Sequence, residues 1–445
     1  MSTPPQTASA PSLTVLIVGA GIGGLSAAVA LRRAGHTVEI FEQSTFANEF
    51  SAALHVCPNA TRVLSRFGYD EARLRGVRCD SIELRAPDGS TLSTASMDFV
   101  PKVYGAPWYL CHRVDLHNEL ERLAFDAAGE GTPAKLHLRS KVASVDCERG
   151  EITLASGEVF KGDLVVGADG VHSMVRTHVL GAADISPSPS GHSAYRFLVP
   201  VSRIAADPML AKYVPSASKP TMIIVSSAEK GLVLYPCRDS TILNVVAHHA
   251  DHLSQRNSER ADWNAKTRSV DELKQTYADF APELHRLFEL ADDIKMWTLL
   301  DSGALETWIK GRTCLLGDAC HPMLPYQAQG GAQAIEDAGA LGVIFGGGIA
   351  ITAADVPARL RYYEFVRKSR AEATQQFSRA QSVKESPPPA DPKAARDAVQ
   401  KFLFSHDVVA YATQALSALF IPSTIVADGA PPPANGTASI DGGDK

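Results

Sequence analysis

Val15 to Val18 is an unbroken apolar run that stops at Gly19, the pattern of a parallel strand buried on both faces. From Leu25 to Ala34 small and apolar residues recur at helical spacing with no breaker between them. Gly35 follows, where a helix-ending glycine belongs. The next run, "TVEIFE", predicts a second strand, and the three segments together predict a βαβ unit.

Later patterns are less regular. "SIELRAPDGSTL" predicts a hairpin turning at Pro87-Asp88-Gly89, and "RVDLHNELERLAFDAAG" predicts an amphipathic helix. "EITLASGEVFKGDLVVGADG" predicts a hairpin and then a buried strand ending at Gly167. Beyond Gly181 the chain turns rich in β-branched and aromatic residues ("MIIVSSAEKGLVLYPCRDSTILNVVAHH"), then helical ("DELKQTYADFAPELHRLFEL"). "SPPPADPKAARD" separates the final helices. "VVAYATQALSALFIP" is short, contains Gln414 and Ser417 and ends at Pro422, which predicts a buried helix rather than a membrane span.

These elements predict an α/β fold in which a sheet-rich domain, 181–295, is inserted into a Rossmann-like domain made of 13–180 and 296–345. The 79–107 hairpin region is expected to join the inserted domain, and 346–428 to form a helical region. The ends, 1–12 and 429–445, have the composition of unstructured tails. A length of 445 residues suits two domains. Acidic residues outnumber basic ones by 49 to 43, a net charge of −6 with no basic cluster, so no nucleic-acid partner is expected. The seven cysteines form no CxxC pair, which argues against a disulfide framework or zinc site. The amino end lacks the basic start and apolar core of a signal peptide, so a cytoplasmic location is expected.

Gly19, Gly21 and Gly24 form G-x-G-x-x-G between a strand and a helix. The first permits a tight turn, the second lets a pyrophosphate approach the backbone, and the third lets helix and strand pack closely. Glu42 ends the second strand eighteen residues after Gly24, where a carboxylate can accept from a ribose. This predicts a dinucleotide without saying which. A second segment, "LLGDACHPMLPYQAQGGAQAIEDA" from Leu315 to Ala338, narrows the choice. Asp318 follows an apolar strand and can hold a polyol such as a ribityl chain; the plainer alternative is a helix N-cap. Gly330-Gly331-Ala332 starts a helix whose free N–H groups can face a reduced flavin ring.

These motifs, with "DLVVGADGVHSMVR", resemble those of the FAD-dependent aromatic hydroxylases of the para-hydroxybenzoate hydroxylase type, most closely the salicylate hydroxylase-like branch. The resemblance implies a glutathione-reductase-type FAD-binding domain and non-covalent FAD, with NADPH or NADH as a transient donor. It assigns the adenosine ribose to Glu42, the ribityl-pyrophosphate region to Arg113, the ribityl chain to Asp318, and the ring to Gly331 and Ala332. Asp169 and Gly170 are implied in pyrophosphate and nicotinamide contacts. Ala53 lies where the family usually has Gly-Ala-Gly-Ile; here the segment reads "SAAL", a departure that leaves a backbone contact to the cofactor.

The family chemistry uses O2 through a flavin C4a-hydroperoxide to oxygenate an electron-rich ring. Arg196 and Tyr235, on strands of the inserted domain, match an Arg-Tyr pair of related monooxygenases that clamps an anionic substrate and steadies its phenolate. Without the resemblance they read as a solvated arginine and a core tyrosine. Candidate substrates are phenols and hydroxybenzoate- or orsellinate-like acids, with or without decarboxylation. Two other functions remain open: epoxidation or dearomatisation in secondary metabolism, and a non-hydroxylating redox-sensing module. A monomer or homodimer is expected. "AHHADH" (247–252) reads as a loop of solvated histidines rather than a metal set, and no metal is expected; His321 reads as shaping the loop beside the flavin.

Overall fold

The computed structural model describes residues 12–45, 52–181, 186–216, 218–254, 266–346, 350–382 and 391–417. The expected tails before residue 12 and at 429–445, and the last part of the helical region (418–428), lie outside the described residues.

Thr14–Val18 is a central strand of a six-stranded sheet. Its neighbours, Leu164–Gly167 on one side and Thr37–Phe41 on the other, both run parallel to it. Thr313–Leu315 and Lys135–His137 extend the parallel sheet outward. Strands flanked on both sides and covered by helices must be apolar throughout, and Val15, Leu16 and Ile17 are buried to 1% or less. The Ile22–Arg33 helix packs against the Gly330–Ile344 helix so closely that a Cβ on Gly342 would lie 3.0 Å from that of Ala30.

An eight-stranded sheet forms a second layer system. Its long strands Ser188–Pro200, Ile242–Ala250 and Lys230–Cys237 are antiparallel. The Ser81–Arg85 and Thr91–Ser96 hairpin adds to one edge through a parallel pairing with Thr221–Ser226. Side chains alternate across the sheet. Tyr195, Phe197, Val245, Ala247 and Leu234 enter a core shared with the helices Val270–Thr276 and Pro282–Phe288. The opposite face carries Ala194, Arg196, Asn244, Val246 and Tyr235, and Tyr235 belongs to the core of the six-stranded sheet. This inner face is therefore the one that meets the βαβ half of the molecule. Arg238, in the turn after Tyr235's strand, holds the Asp115 carboxylate through two bonds of 2.8 and 2.6 Å, tying that turn to the Arg113–Phe125 helix.

Three expectations change. "AHHADH" is not a solvated loop: the strand continues through Ala250, and His249 is fully buried and stacked on Tyr195 at 4.9 Å. Strand pairing with Ser188–Pro200 outweighs the local polarity of the histidines. The late apolar stretch forms a Val408–Ser417 helix that buries only Val408 and Ala412, with Tyr411 41% exposed, so it is a one-sided covering helix rather than a buried one. The helical stretch near 270–290 splits in two at Pro282, which takes the first position of its second helix. No helix among the described residues is long and apolar enough to cross a membrane.

Candidate active site

The glycine motif is shaped by close approach. Gly19 has φ +99°, and a Cβ there would meet the Ala168 carbonyl oxygen at 2.5 Å. A Cβ on Gly24 would stand 2.0 Å from the Gly19 oxygen, whereas one on Gly21 would meet nothing within 4 Å. Gly21 thus leaves an open backbone surface at the start of the Ile22–Arg33 helix, and no side chain caps that helix end. Its first-turn N–H groups suit an anion. Glu42 lies just beyond its strand, where its carboxylate accepts from Ala20 N at 2.9 Å and Ser44 N at 2.8 Å. Each oxygen keeps a further lone pair for a hydroxyl.

Tertiary packing brings the two distant motifs together. A Cβ on Gly23 would stand 2.6 Å from a Leu316 methyl, so the strand end before Asp318 sits on the dinucleotide-type helix. Asp318 faces the start of the Gly330–Ile344 helix: a Cβ on Gly330 would lie 4.0 Å from its Oδ1. The carboxylate accepts no hydrogen bond from a helix N–H, and that helix is preceded by Gln329 without a side-chain cap. The N-cap alternative for Asp318 therefore fails. Asp318 is exposed to solvent, yet the surrounding protein pushes its carboxyl up, opposed by His321 and Arg113. Gly331 has open space where a Cβ would be, while Ala332 is 1% exposed.

Other predicted residues are placed as follows. Arg113 opens its helix and donates its backbone N–H to Ala52 O at 2.8 Å. Ala53's N–H goes to Asn244 Oδ1 at 3.2 Å and is already spent. Asp169 uses its carboxylate locally, accepting from Ser173 Oγ (2.5 Å), Met174 N (2.8 Å) and Val175 N (3.1 Å) at the start of the next helix. Gly170, with φ +78°, has open space where a Cβ would be. Arg176 bridges the Val171 and Ala319 carbonyls, tying the Asp-Gly loop to the Asp318 loop. An exposed carboxylate, two uncapped helix starts and glycines with open space beside them fit a flavin dinucleotide.

The acidic pair of the second motif has another job. Glu336 and Asp337 are fully buried. Arg367 bonds both, at 2.6 and 2.8 Å, and Arg370 bonds Glu336 at 2.8 Å. Burial alone would raise the Glu336 carboxyl, but Arg370 and Arg367 outweigh it and hold it well below the usual range. His321 is locked to Asp337 at 2.7 Å, with its ring against Trp308. Cys320, His321 and Asp337 have ligand atoms within 4.8 Å of one another, but Arg367 already supplies the positive charge at Asp337.

The inner face of the eight-stranded sheet carries a polar wall. Arg196 lies over the Trp297 ring, its Cζ 5.6 Å from the centroid, and its buried Nε has no hydrogen-bond partner. Burial lowers its pKa and neighbouring Tyr235 opposes the shift. The Tyr235 hydroxyl is pushed far up by burial, with Arg196 opposing, so it remains a proton donor. Sequence reading missed His55, whose ring meets Tyr235 edge-on at 4.6 Å and lies 5.6 Å from Trp108. Burial lowers its pKa to about 4, and its Nδ1 is buried without a partner. Strand alternation from Ala53 was the available signal, since residues two apart share a face. Asn244 was also missed; a single Asn inside "TILNVVA" was its signal. Tyr326, from the second motif's loop, reaches the same sheet and packs against His248 at 5.7 Å.

Comparison with known proteins agrees with this arrangement. A family model described as "FAD binding domain" matches residues 12–378. Hispidin-3-hydroxylase of Neonothopanus nambi is 39% identical over 84% of this chain and 88% of its own length. FAD-dependent monooxygenase cfoG of Aspergillus candidus is 40% identical over 83% of this chain and 85% of its own. Among solved structures, a salicylate hydroxylase substrate complex superposes with a TM-score of 0.72 at 25% identity, covering 91% of this chain and 98% of that one. CtdE with FAD and substrate superposes with a TM-score of 0.76 at 20% identity, over 92% and 98% of the two chains, which speaks for the fold. The chain belongs to the FAD-binding-domain family of FAD-dependent aromatic monooxygenases.

Proposed function

We propose that this enzyme hydroxylates a phenolic or hydroxybenzoate- or orsellinate-like ring, using O2 and a transiently bound NADPH or NADH. In this reading Gly19, Gly21, Gly24, Glu42, Arg113, Asp318, Gly331 and Ala332 hold FAD. Ala53 contributes backbone, and the Asp169-Gly170 loop lines the pyrophosphate side. Reduced FAD, when bound, supplies with O2 an electrophilic oxygen atom. The observation that carries the substrate assignment is Arg196: a buried guanidinium edge without a partner, beside a tyrosine kept protonated. Such a pair suits an anionic oxygen on an aromatic ring.

Each residue then has a task. Arg196 attracts and orients the anion, and Trp297 backs its guanidinium. Tyr235 donates to the ring oxygen as electron density leaves it. Neutral His55 and Trp108 close the wall behind Tyr235 and exclude water. Hispidin-3-hydroxylase is named as a hydroxylase, and 3-amino-4-hydroxybenzoate 2-monooxygenase PtmB3 of Streptomyces platensis, 32% identical, is named for a hydroxybenzoate, which supports the same class here. The test is NADH and NADPH oxidation against a panel of phenols, hydroxybenzoates and hydroxypyrones. Product, peroxide and released CO2 are measured together. Stimulated oxidation with matching product supports the reading, and CO2 release separates decarboxylative from plain hydroxylation. Flavin reduction that no aromatic compound accelerates would defeat it.

A further inference from the structure

Asn244 is a polar group of the inner wall that this reading leaves without a task. It is 1% exposed and stands directly across the strand pair from Tyr235. Its Oδ1 accepts the Ala53 N–H at 3.2 Å. Only the oxygen of an amide side chain can accept that bond, so the side chain cannot be turned end for end. Nδ2 is therefore fixed as a buried donor, and it has no partner in the protein. Buried donors in native proteins are almost always met, so this one calls for a ligand atom. Arg196 and Tyr235 already suit the anionic oxygen. A neutral amide donor suits a neutral acceptor such as a carbonyl.

We propose that Asn244 is a specificity-determining residue that donates to a second oxygen of the substrate, a carbonyl-type acceptor carried on the same ring as the ionisable hydroxyl. The inference rests on the phenol reading above. It makes Asn244 a selector for rings bearing a carbonyl, carboxyl or lactone oxygen as well as the hydroxyl. A ring with the hydroxyl alone would leave Nδ2 buried and unmet, the case in which a polar site discriminates most strongly.

The test uses the FAD-loaded enzyme and four probes: phenol and 2-, 3- and 4-acetylphenol. Binding is followed by the change in flavin absorbance, with no turnover needed. Wild-type enzyme is expected to bind at least one acetylphenol about tenfold more tightly than phenol, the worth of one buried hydrogen bond. Asn244→Asp keeps the acceptor for Ala53 and loses the donor; Asn244→Leu loses both at similar volume. Both are expected to lose the acetyl-to-phenol ratio, which cancels any general change in affinity. A ratio unchanged in both variants overturns the proposal. So does an unchanged ratio with tenfold weaker FAD binding, which would assign the donor to the cofactor. Phenol binding without acetyl preference in the wild type overturns this inference alone. Failure of all four probes overturns the phenol reading with it.

Discussion

Asp318 and Gly330 lie against one another: a Cβ on Gly330 would lie 4.0 Å from Asp318 Oδ1, which places the carboxylate at the uncapped start of the Gly330–Ile344 helix. Asp318→Ala is expected to weaken FAD binding by one to two decades, the loss of a charge-assisted bond of roughly 1.5–3 kcal/mol. Flavin titration of the apoprotein measures it. Unchanged affinity would remove Asp318 from the cofactor site. The flavin itself should leave the chain on denaturation and filtration, since it is held without a covalent bond.

Two glycines of the first motif should behave differently. Gly24→Ala puts a methyl 2.0 Å from a backbone oxygen that cannot move aside, so the apoprotein itself should lose about 1–3 kcal/mol or more. Gly21→Ala meets nothing within 4 Å, so it should cost the apoprotein only the weaker helix N-cap, about 1 kcal/mol or less, while weakening FAD binding. Chemical denaturation of both apoproteins beside flavin titration separates the cases. Equal destabilisation of the two would show that neither clearance governs.

Arg196→Ala should raise the substrate dissociation constant steeply while sparing flavin content, and Arg196→Lys should not fully restore it, because a point charge lacks the planar fork. Tyr235→Phe should lower turnover more than binding and release hydrogen peroxide as the nicotinamide donor is consumed. Substrate titrations with product and peroxide assays decide. Wild-type affinity and coupling in all three variants would make both residues structural.

Arg367→Met leaves Glu336 and Asp337 with less buried positive charge, and should cost about 3–5 kcal/mol. Urea unfolding of the flavin-free variant reads this directly. A loss below about 1 kcal/mol would mean that Arg370 and His321 suffice alone.

Acid should loosen the protein before its carboxylates titrate. Burial lowers the pKa of His249 to about 4 in the folded chain, below the ordinary value of 6.5. Between these values the unfolded chain binds the proton and the folded chain does not, so stability falls as pH drops from about 6.5 towards 4. One such histidine contributes a slope of up to about 1.4 kcal/mol per pH unit in that window. His249→Phe, which keeps a ring against Tyr195, should flatten the pH dependence by that amount. Unfolding free energies at pH 4.5, 5.5 and 7.5 provide the check; an unchanged slope would show that His249 is protonated in the folded state.

Local pattern sufficed where neighbours in sequence are neighbours in space. The Val15–Val18 run, the glycine spacing and Gly35 describe one strand, one turn and one helix, each set by the conformational demands of its own residues. The Pro87-Asp88-Gly89 turn was legible for the same reason, since Gly89 with φ +82° is a local demand. Tertiary structure decided what depends on distant partners. His249 reads as polar loop from its neighbours, but becomes a buried strand residue once Ser188–Pro200 pairs with it. Asp318 reads equally as a cap or a ligand until the Gly330–Ile344 helix takes its place beside it, uncapped. In the sequence Glu336 and Asp337 are only an acidic pair; Arg367, from another helix, makes them part of a buried ion network. His55 and Asn244 carry no motif; antiparallel strand pairing sets Asn244 beside Tyr235, and only the packing of Ala53–Val56 onto the eight-stranded sheet brings His55 there. Alternation along a strand says which residues share a face; what that face meets is settled by burial and by hydrogen bonds across the fold, which no short stretch of sequence contains.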